Sequence, residues 1–346
     1  MSTQSAIQIE STGVAKLVQN APVPTLRDDY ILVKTAAVAL NPTDWKHIDF
    51  LASKGAIVGC DYSGVVEKVG PAVTNSLKPG DKVAGFIHGS NSDNHEDGAF
   101  AEHIAAKGDL QIKIPDNLSF EEAATLGVGI TTVGQGLYQS LGLPLPTQPS
   151  QTPFPILILG GSTATGTLAI QYAKLSGLQV ITTCSPSNFE LVRSRGADHV
   201  FDYRDSAAPK AIRELTDDKL RYAFDTISST DTAKFASESL GTGPGGKYSS
   251  LMPIADFPRK DVSNSGTLAY TAIGETFHKR GKEFPASAKD YEFAVEFWKL
   301  AGKLLEQGKM KVHPQTIRST GLEGVLEGVD ELRQDKVSGT KIVYTL

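Results

Sequence analysis

The 346-residue sequence predicts an α/β fold: a doubly wound parallel sheet inserted in a β-rich, barrel-like domain that both chain ends build. Three observations carry this. The first third holds short apolar runs separated by Gly, Pro, Asn and Asp turns. From about residue 128 strands alternate with helices. The chain closes on "KIVYTL", a strand-like segment that needs a sheet to join. The expected boundaries are 1–127 plus 298–346 for the β-rich domain and 128–297 for the inserted one.

In the β-rich part the strands are "YILVKTAAVAL", "YSGVVEKVG", "DKVAGFIHG" and "FAEHIAA". "QPSQTPFP" at 148–155 is a Pro-rich loop entering the first strand of the inserted sheet. There "ILIL" leads to "TLAIQYAKLSG", "QVITTC" to "NFELVRSRG", "DHVFDYR" to "APKAIRELT" and "RYAFDTI" to "TAKFASESLG". Each pair is a β-branched strand followed by an amphipathic helix ending near glycine, the pattern of parallel strands joined by crossover helices. "YEFAVEFWKLAGKLLEQGKM" reads as one long helix leaving that sheet. A cleft between the two domains is the expected ligand site.

Bulk properties exclude several classes. A net charge of −5 with scattered basic residues leaves no footprint for nucleic acid or an anionic membrane. Cys60 and Cys184 lie in segments of different character, so neither a disulfide framework nor a Cys-rich zinc site is expected, and a reducing compartment fits. "MSTQSAIQIESTG" lacks the basic and apolar regions of a secretory signal, and no run approaches the roughly 20 apolar residues of a membrane span. A cytoplasmic protein is the expectation.

The stretch "ILILGGSTATGTLAIQYAK" at 156–174 places glycines between a strand and a helix, as in a Rossmann-type dinucleotide site. Gly160, Gly161 and Gly166 supply the tight bend and the close backbone approach, and Ser162, Thr163, Ala164 and Thr165 form the cofactor-binding turn. The loop departs from G-x-G-x-x-G. Its hydroxyls have two readings, hydrogen bonds to phosphate or capping of the helix. After the second strand an NAD enzyme needs a carboxylate for the ribose 2′-hydroxyl. This chain has "ITTCSPSN" instead, so Ser185, Pro186, Ser187 and Asn188 favour NADPH. Tyr203, with Arg204 beside it, either completes that pocket or belongs to a surface turn.

"NPTDWK" at 41–46, "GCDYSGVVEKVG" at 59–70 and "LKPGDKVAGF" at 77–86, in this order, resemble the medium-chain dehydrogenase/reductase superfamily over nearly the whole chain. The resemblance implies a GroES-like catalytic domain around the Rossmann domain. Zinc-dependent members carry a Cys in the segment matching "NPTDWK" and a His-Glu pair where this chain has Cys60-Asp61, so no metal is expected. "HGSNSDNHEDGAF", with His88 and His95, reads as a solvated polar loop rather than a metal site. "GGSTATG", "CSPSNFELVRSRGADHVFDYR", "LRYAFDTI" and "SGTKIVYTL" look like the trans-acting enoyl reductases that assist fungal polyketide synthases. That likeness implies NADPH-dependent reduction of an α,β-unsaturated acyl thioester held on a synthase carrier domain.

The family pattern carries site roles onto particular residues. Lys46 and Thr131 become the catalytic pair, Lys46 also touching cofactor beside Thr43, Asp44 and Trp45. Asp44 orients Lys46 or the local turn rather than acting as a base. Ser250 and Leu251 approach the nicotinamide, and Val337 and Ser338 the C-terminal part of the cofactor cleft. Thr131, Thr132 and "LAYTAIGET" at 268–276, with Tyr270, Thr271, Gly274 and Glu275, face the substrate. On residue pattern alone Thr131 and Thr132 equally suit a helix start, and "LAYTAIGET" a buried strand or a subunit contact. Water supplies the proton, with Tyr62 and Cys60 as lesser candidates. The rival readings are a stand-alone quinone or alkenal reductase and a cofactor-binding accessory protein; monomer and homodimer both remain open.

Overall fold

A computed structural model describes residues 2–346, and the chain divides into two units. One runs to Thr131 and resumes over Tyr270–Leu346; the other spans Thr132–Ala269. The return to the first unit therefore comes at Tyr270 rather than at 298. The cause is the segment after 270, which packs on the first unit's own residues: the long helix, Ala288–Glu306, stacks Trp298 on Phe86 with ring centroids 6.1 Å apart.

In the first unit the strand Tyr30–Ala39 organises a seven-stranded sheet. Asp61–Val69 pairs along one edge of it. Its other edge is shared, His103–Lys107 taking residues 30–34 and Lys341–Thr345 taking residues 37–39, all antiparallel. The last strand thus sits deep in the sheet, as "KIVYTL" demanded. Apolar side chains explain the placement: Ile31, Val33, Val38, Tyr62, Val83, Ile104, Ile342 and Tyr344 are buried in one core.

In the second unit six parallel strands stand in the order 3-2-1-4-5-6 counted along the chain. The four anticipated strand–helix pairs are Pro155–Leu159 with Ala164–Leu175, Gln179–Cys184 with Phe189–Ser194, His199–Asp202 with Ala208–Leu215, and Tyr222–Asp225 with Thr230–Ser239. Leu157, Ile181 and Ala223 meet Ile212 and Ala236 from the covering helices in a second core. Lys247–Ser250 and Ser263–Gly266 extend the sheet. The edge strand, "SNSG", has no apolar residue and is held by backbone pairing, so the hydrophobic pattern is silent there.

Three local expectations change. "LAYTAIGET" is a 3₁₀ turn, Ala269–Ile273, rather than a strand. "FHKRGKEF" forms an unanticipated hairpin of Phe277–Lys279 with Lys282–Phe284. The loop after His88 is solvated only in part, for Ser92, Asp93 and His95 are exposed whereas His88, Ser90, Asn91 and Asp97 are buried. Asp97 is retained there by Arg27, whose Nη2 donates to it at 2.6 Å, while burial pushes its carboxyl up to about 6. Among the described residues no helix is long and apolar enough to cross a membrane.

Candidate active site

In the first unit the segment 41–47 builds a short, tightly anchored helix, Pro42–Phe50. Pro42 opens it, and Asp44 Oδ2 reaches back to accept the Asn41 N–H at 2.7 Å. Asp44 thus orients the turn, and among the described residues no hydrogen bond or ion pair joins it to Lys46. Burial pushes its carboxyl up to about 8, against the pull of the Asn41 N–H, and its Oδ1 has no partner within hydrogen-bond geometry. Burial thus favours its protonated form. Trp45, edge-on to Phe50 at 6.0 Å, walls the next side chain.

Lys46 follows with its Nζ 5.6 Å from the Trp45 ring. Among the described residues it makes no hydrogen bond or ion pair. Partial burial lowers its pKa, with Asp335 opposing the shift. An ammonium in that position can be spent on a ligand. His47, next along, is committed: its Nδ1 faces the Thr43 carbonyl at 2.7 Å and so carries the proton, leaving Nε2 to accept from Lys279 Nζ at 2.7 Å. Burial and Lys279 hold this imidazole neutral, down to about 4.

Cys60 and Tyr270 meet behind this helix, with Sγ 3.5 Å from the phenol oxygen. Burial raises both pKa values. Tyr270 stacks on His88 at 3.7 Å between ring centroids. Tyr62, the other proposed donor, gives its hydroxyl to Gln111 Oε1 at 2.5 Å. Thr131 is buried inside the helix Gly127–Val133, and its Oγ1 accepts from Trp298 Nε1 at 2.9 Å, so its own proton is left to donate. Glu275 is taken by Tyr30 Oη at 2.7 Å and Lys107 Nζ at 2.9 Å. Gly274, at φ +76°, lies against Tyr291. Thr271 is half-buried in the 3₁₀ turn. Val337 packs on the first unit's core, while Ser338 is exposed.

The second unit carries the glycine loop. Gly160 has φ +74°, and a Cβ on Gly166 would lie 2.2 Å from the Gly160 carbonyl oxygen, so neither position takes a side chain. Thr163 is the N-cap of Ala164–Leu175, its Oγ1 accepting the Gly166 N–H at 2.9 Å. The capping reading therefore holds for Thr163. Thr165 Oγ1 has no protein partner among the described residues, and the first-turn N–H groups of Ala164 and Thr165 face outward from the ladder. The loop fits a pyrophosphate at a helix N-terminus.

Beside it Asn188 Nδ2 donates to Ser185 Oγ at 3.1 Å and Ser162 Oγ at 3.4 Å, and Ser185 Oγ lies 3.1 Å from Ser187 Oγ. Pro186 starts the 3₁₀ turn that groups them. Sequence reasoning missed a carboxylate contributed by the neighbouring strand, Asp202, which pairs in register with Cys184. It is neutralised by Arg204, whose Nε and Nη2 each donate at 3.0 Å. Tyr203 is 53% exposed beside that pair. Ser250 Oγ donates to the Met252 carbonyl at 2.8 Å, and the Leu251 N–H to Ser228 Oγ at 2.8 Å, so these two residues are fixed by the strand end. Thr132 opens this unit and is buried.

A sheet of this order with a glycine loop in one unit, and a β-rich unit bearing a free lysine in the same chain, define an oxidoreductase of the medium-chain dehydrogenase/reductase class. Residues 27–116 match the Alcohol dehydrogenase GroES-like domain family, and residues 164–271 the Zinc-binding dehydrogenase family. Trans-enoyl reductase ACTTS2 of Alternaria alternata is 51% identical over 347 residues, covering 100% of both chains. Trans-enoyl reductase resD of Aspergillus sclerotiorum is 48% identical, covering 98% of this chain and 99% of its own. The solved quinone oxidoreductase of Coxiella burnetii superposes with a TM-score of 0.74 at 26% identity, over 99% of each chain. The chain belongs to the medium-chain dehydrogenase/reductase superfamily, in the branch of the trans-enoyl reductases. Enoyl reductases of this superfamily depend on a nicotinamide cofactor.

Proposed function

We propose that the protein is an NADPH-dependent, trans-acting enoyl reductase that reduces an α,β-unsaturated polyketide thioester on a synthase carrier domain, without zinc, in the cytoplasm. The observation that carries the reading is Lys46, a half-buried ammonium without a protein partner in a chain so similar to trans-enoyl reductases. A nicotinamide cofactor, when bound, supplies the hydride that adds to the β-carbon of the conjugated thioester. Lys46 donates to the thioester oxygen, where negative charge collects as the enolate forms. Thr131 donates its free O–H to hold the reacting partners in register, the Trp298 indole fixing the lone pair. Water protonates the α-carbon. Cys60 and Tyr270 hold their protons too tightly to give them up readily, and Tyr62 is spent on Gln111.

Two further placements support the finer parts of the reading. Ser162, Ser185, Ser187 and Asn188 offer a polar patch for a 2′-phosphate, and Arg204 cancels the charge of Asp202 on the neighbouring strand. Asp61, which stands in the position of a zinc ligand, is already held by Lys341 and by the Val128 N–H at 2.6 Å. The test follows NADPH and NADH absorbance with an enoyl thioester, an alkenal and a quinone in parallel. The expected result is thioester turnover with NADPH at least tenfold more efficient than with NADH. Comparable efficiency with quinone would instead favour a stand-alone quinone reductase, the reading suggested by the Coxiella burnetii structure.

A further inference from the structure

Behind the Lys46 helix, and wholly within the first unit, lies a cavity of about 440 Å³. That volume falls in the roughly 300–1,000 Å³ range of small-molecule sites. Three segments supply most of its wall: the helix end and loop His47–Ser53, the loop His88–Ser92, and the hairpin tip Lys279–Gly281. Its lining combines two chemistries. Lys279 and Arg280 come from the hairpin, and Phe50, 66% exposed, comes with Leu51 and Ala52 from the helix end.

The cations of this cavity lack their counter-charges. Lys279 Nζ donates to the neutral His47 Nε2 and lies 4.6 Å over the Tyr270 ring, yet among the described residues no carboxylate comes within ion-pair distance. Arg280 has neither hydrogen bond nor ion pair among the described residues. The one acid lining the cavity, Asp49, is taken by Arg333, whose Nε and Nη2 both donate at 2.9 Å. His278 is likewise engaged, its backbone N–H on Asp93 at 2.6 Å and its ring near Asp93 and Glu283. His88 is 6% exposed, and its ring nitrogens have no hydrogen-bond partner among the described residues.

The hairpin supplies a further sign. Arg280 and Gly281 are the two central residues of the turn, with φ of +54° and +70°. A tight hairpin turn of this kind favours Asn, Asp or Gly at both positions. Arginine in the left-handed region runs against that preference, and it places a cation at the tip of the turn beside the cavity.

We propose that this cavity seats a phosphoester at the end of an apolar arm, the phosphate between Lys279 and Arg280 and the arm along Phe50. The occupant is the phosphopantetheine tether of the carrier-bound thioester, an assignment that rests on the function proposed above. A tether pairs a phosphodiester with a slender amide-and-methylene arm, which matches a lining of basic hairpin residues and apolar helix-end residues. Arginine and lysine are the usual partners of phosphate oxygens; here Lys279 is half-buried beside His47 and Arg280 is exposed at the hairpin tip.

The test needs no turnover. The full-length protein is titrated calorimetrically with phosphopantetheine, with pantetheine, which lacks the phosphate, and with inorganic phosphate. The variants are Arg280→Gly, which relaxes the left-handed residue and so keeps the hairpin, and Lys279→Met. Phosphopantetheine is expected to bind at least tenfold tighter than either other probe, and each variant to reduce that preference severalfold. Equal binding of the phosphorylated and unphosphorylated arms overturns the proposal. So does a preference that survives both variants, or inorganic phosphate binding as tightly as the whole tether. In kinetics, the preference for a phosphopantetheine enoyl thioester over its pantetheine counterpart should collapse in Arg280→Gly. Tight, variant-sensitive phosphopantetheine binding without thioester reduction would refute the enoyl reductase reading and leave the phosphoester site standing.

Discussion

At the scale of single residues, two neighbours in one short helix do opposite things with burial. Lys46 stays free and half-buried, so its ammonium is available to a developing oxyanion. Lys46→Met keeps the stem and removes the charge. It is expected to lower kcat/KM for an enoyl thioester by about 10²–10³ while the thermal midpoint stays near that of the parent. Asp44, two residues earlier, holds a proton instead. Its folded pKa of about 8 lies above its unfolded value, so the stability it contributes is complete below about pH 4 and is lost as pH rises through 8. Asp44→Asn cannot ionise. Its stability relative to the parent, read as denaturation midpoints from pH 4 to 9, should therefore rise with pH across that window. His47 works in the reverse sense, its contribution lost as pH falls from 6.5 through about 4, and the Asp44→Asn comparison cancels it because both proteins keep the histidine.

At the scale of elements, the glycine loop owes its shape to close approach. The Gly166 Cα faces the Gly160 carbonyl so closely that a methyl group has no room. Gly166→Ala is expected to cost about 1–3 kcal/mol of stability and to weaken NADPH binding at least tenfold, as measured by fluorescence titration. An alanine variant that binds cofactor normally would mean the loop does not cradle it. The hydroxyls around this loop divide their work: Thr163 caps the helix, Ser162 accepts from Asn188, and Thr165 points to no protein partner. Residue identity alone left those roles open, because a serine or threonine ahead of a helix suits a cap and a phosphate equally well. The hairpin that lines the first unit's cavity escaped the sequence reading for a similar reason. "KRGK" has the charge of any exposed turn, and only the fold carries Lys279 to His47.

At the scale of the molecule, the first unit is closed by its own far end. Lys341, on the last strand, is buried against Asp61, donates to Asn41 Oδ1 at 3.0 Å and reaches the Thr125 carbonyl at 3.3 Å. One ammonium thus joins four distant stretches of chain. Lys341→Met leaves Asp61 buried with only the Val128 N–H, and should destabilise the protein by about 3–5 kcal/mol in chemical denaturation. Adding Asp61→Asn removes the stranded charge, so the double variant should regain a substantial part of that loss. A double variant no better than the single one would show that the pair contributes through packing rather than charge.

Periodicity alone determined the fold class, the insertion of one domain in another and the place of the glycine loop, because short-range patterns of apolar residues and glycines are direct consequences of burial and backbone sterics. The sequence also placed Lys46 and Thr131 within a family pattern. Tertiary structure alone decided which polar groups are still free. Asp202 and Glu275 carry charges that look available in the chain, yet Arg204, and Tyr30 with Lys107, have taken them. Lys46, Lys279 and Arg280 keep theirs. Whether a charge is spent depends on partners well over a hundred residues away, such as Lys107 on Glu275, and no local pattern encodes that distance.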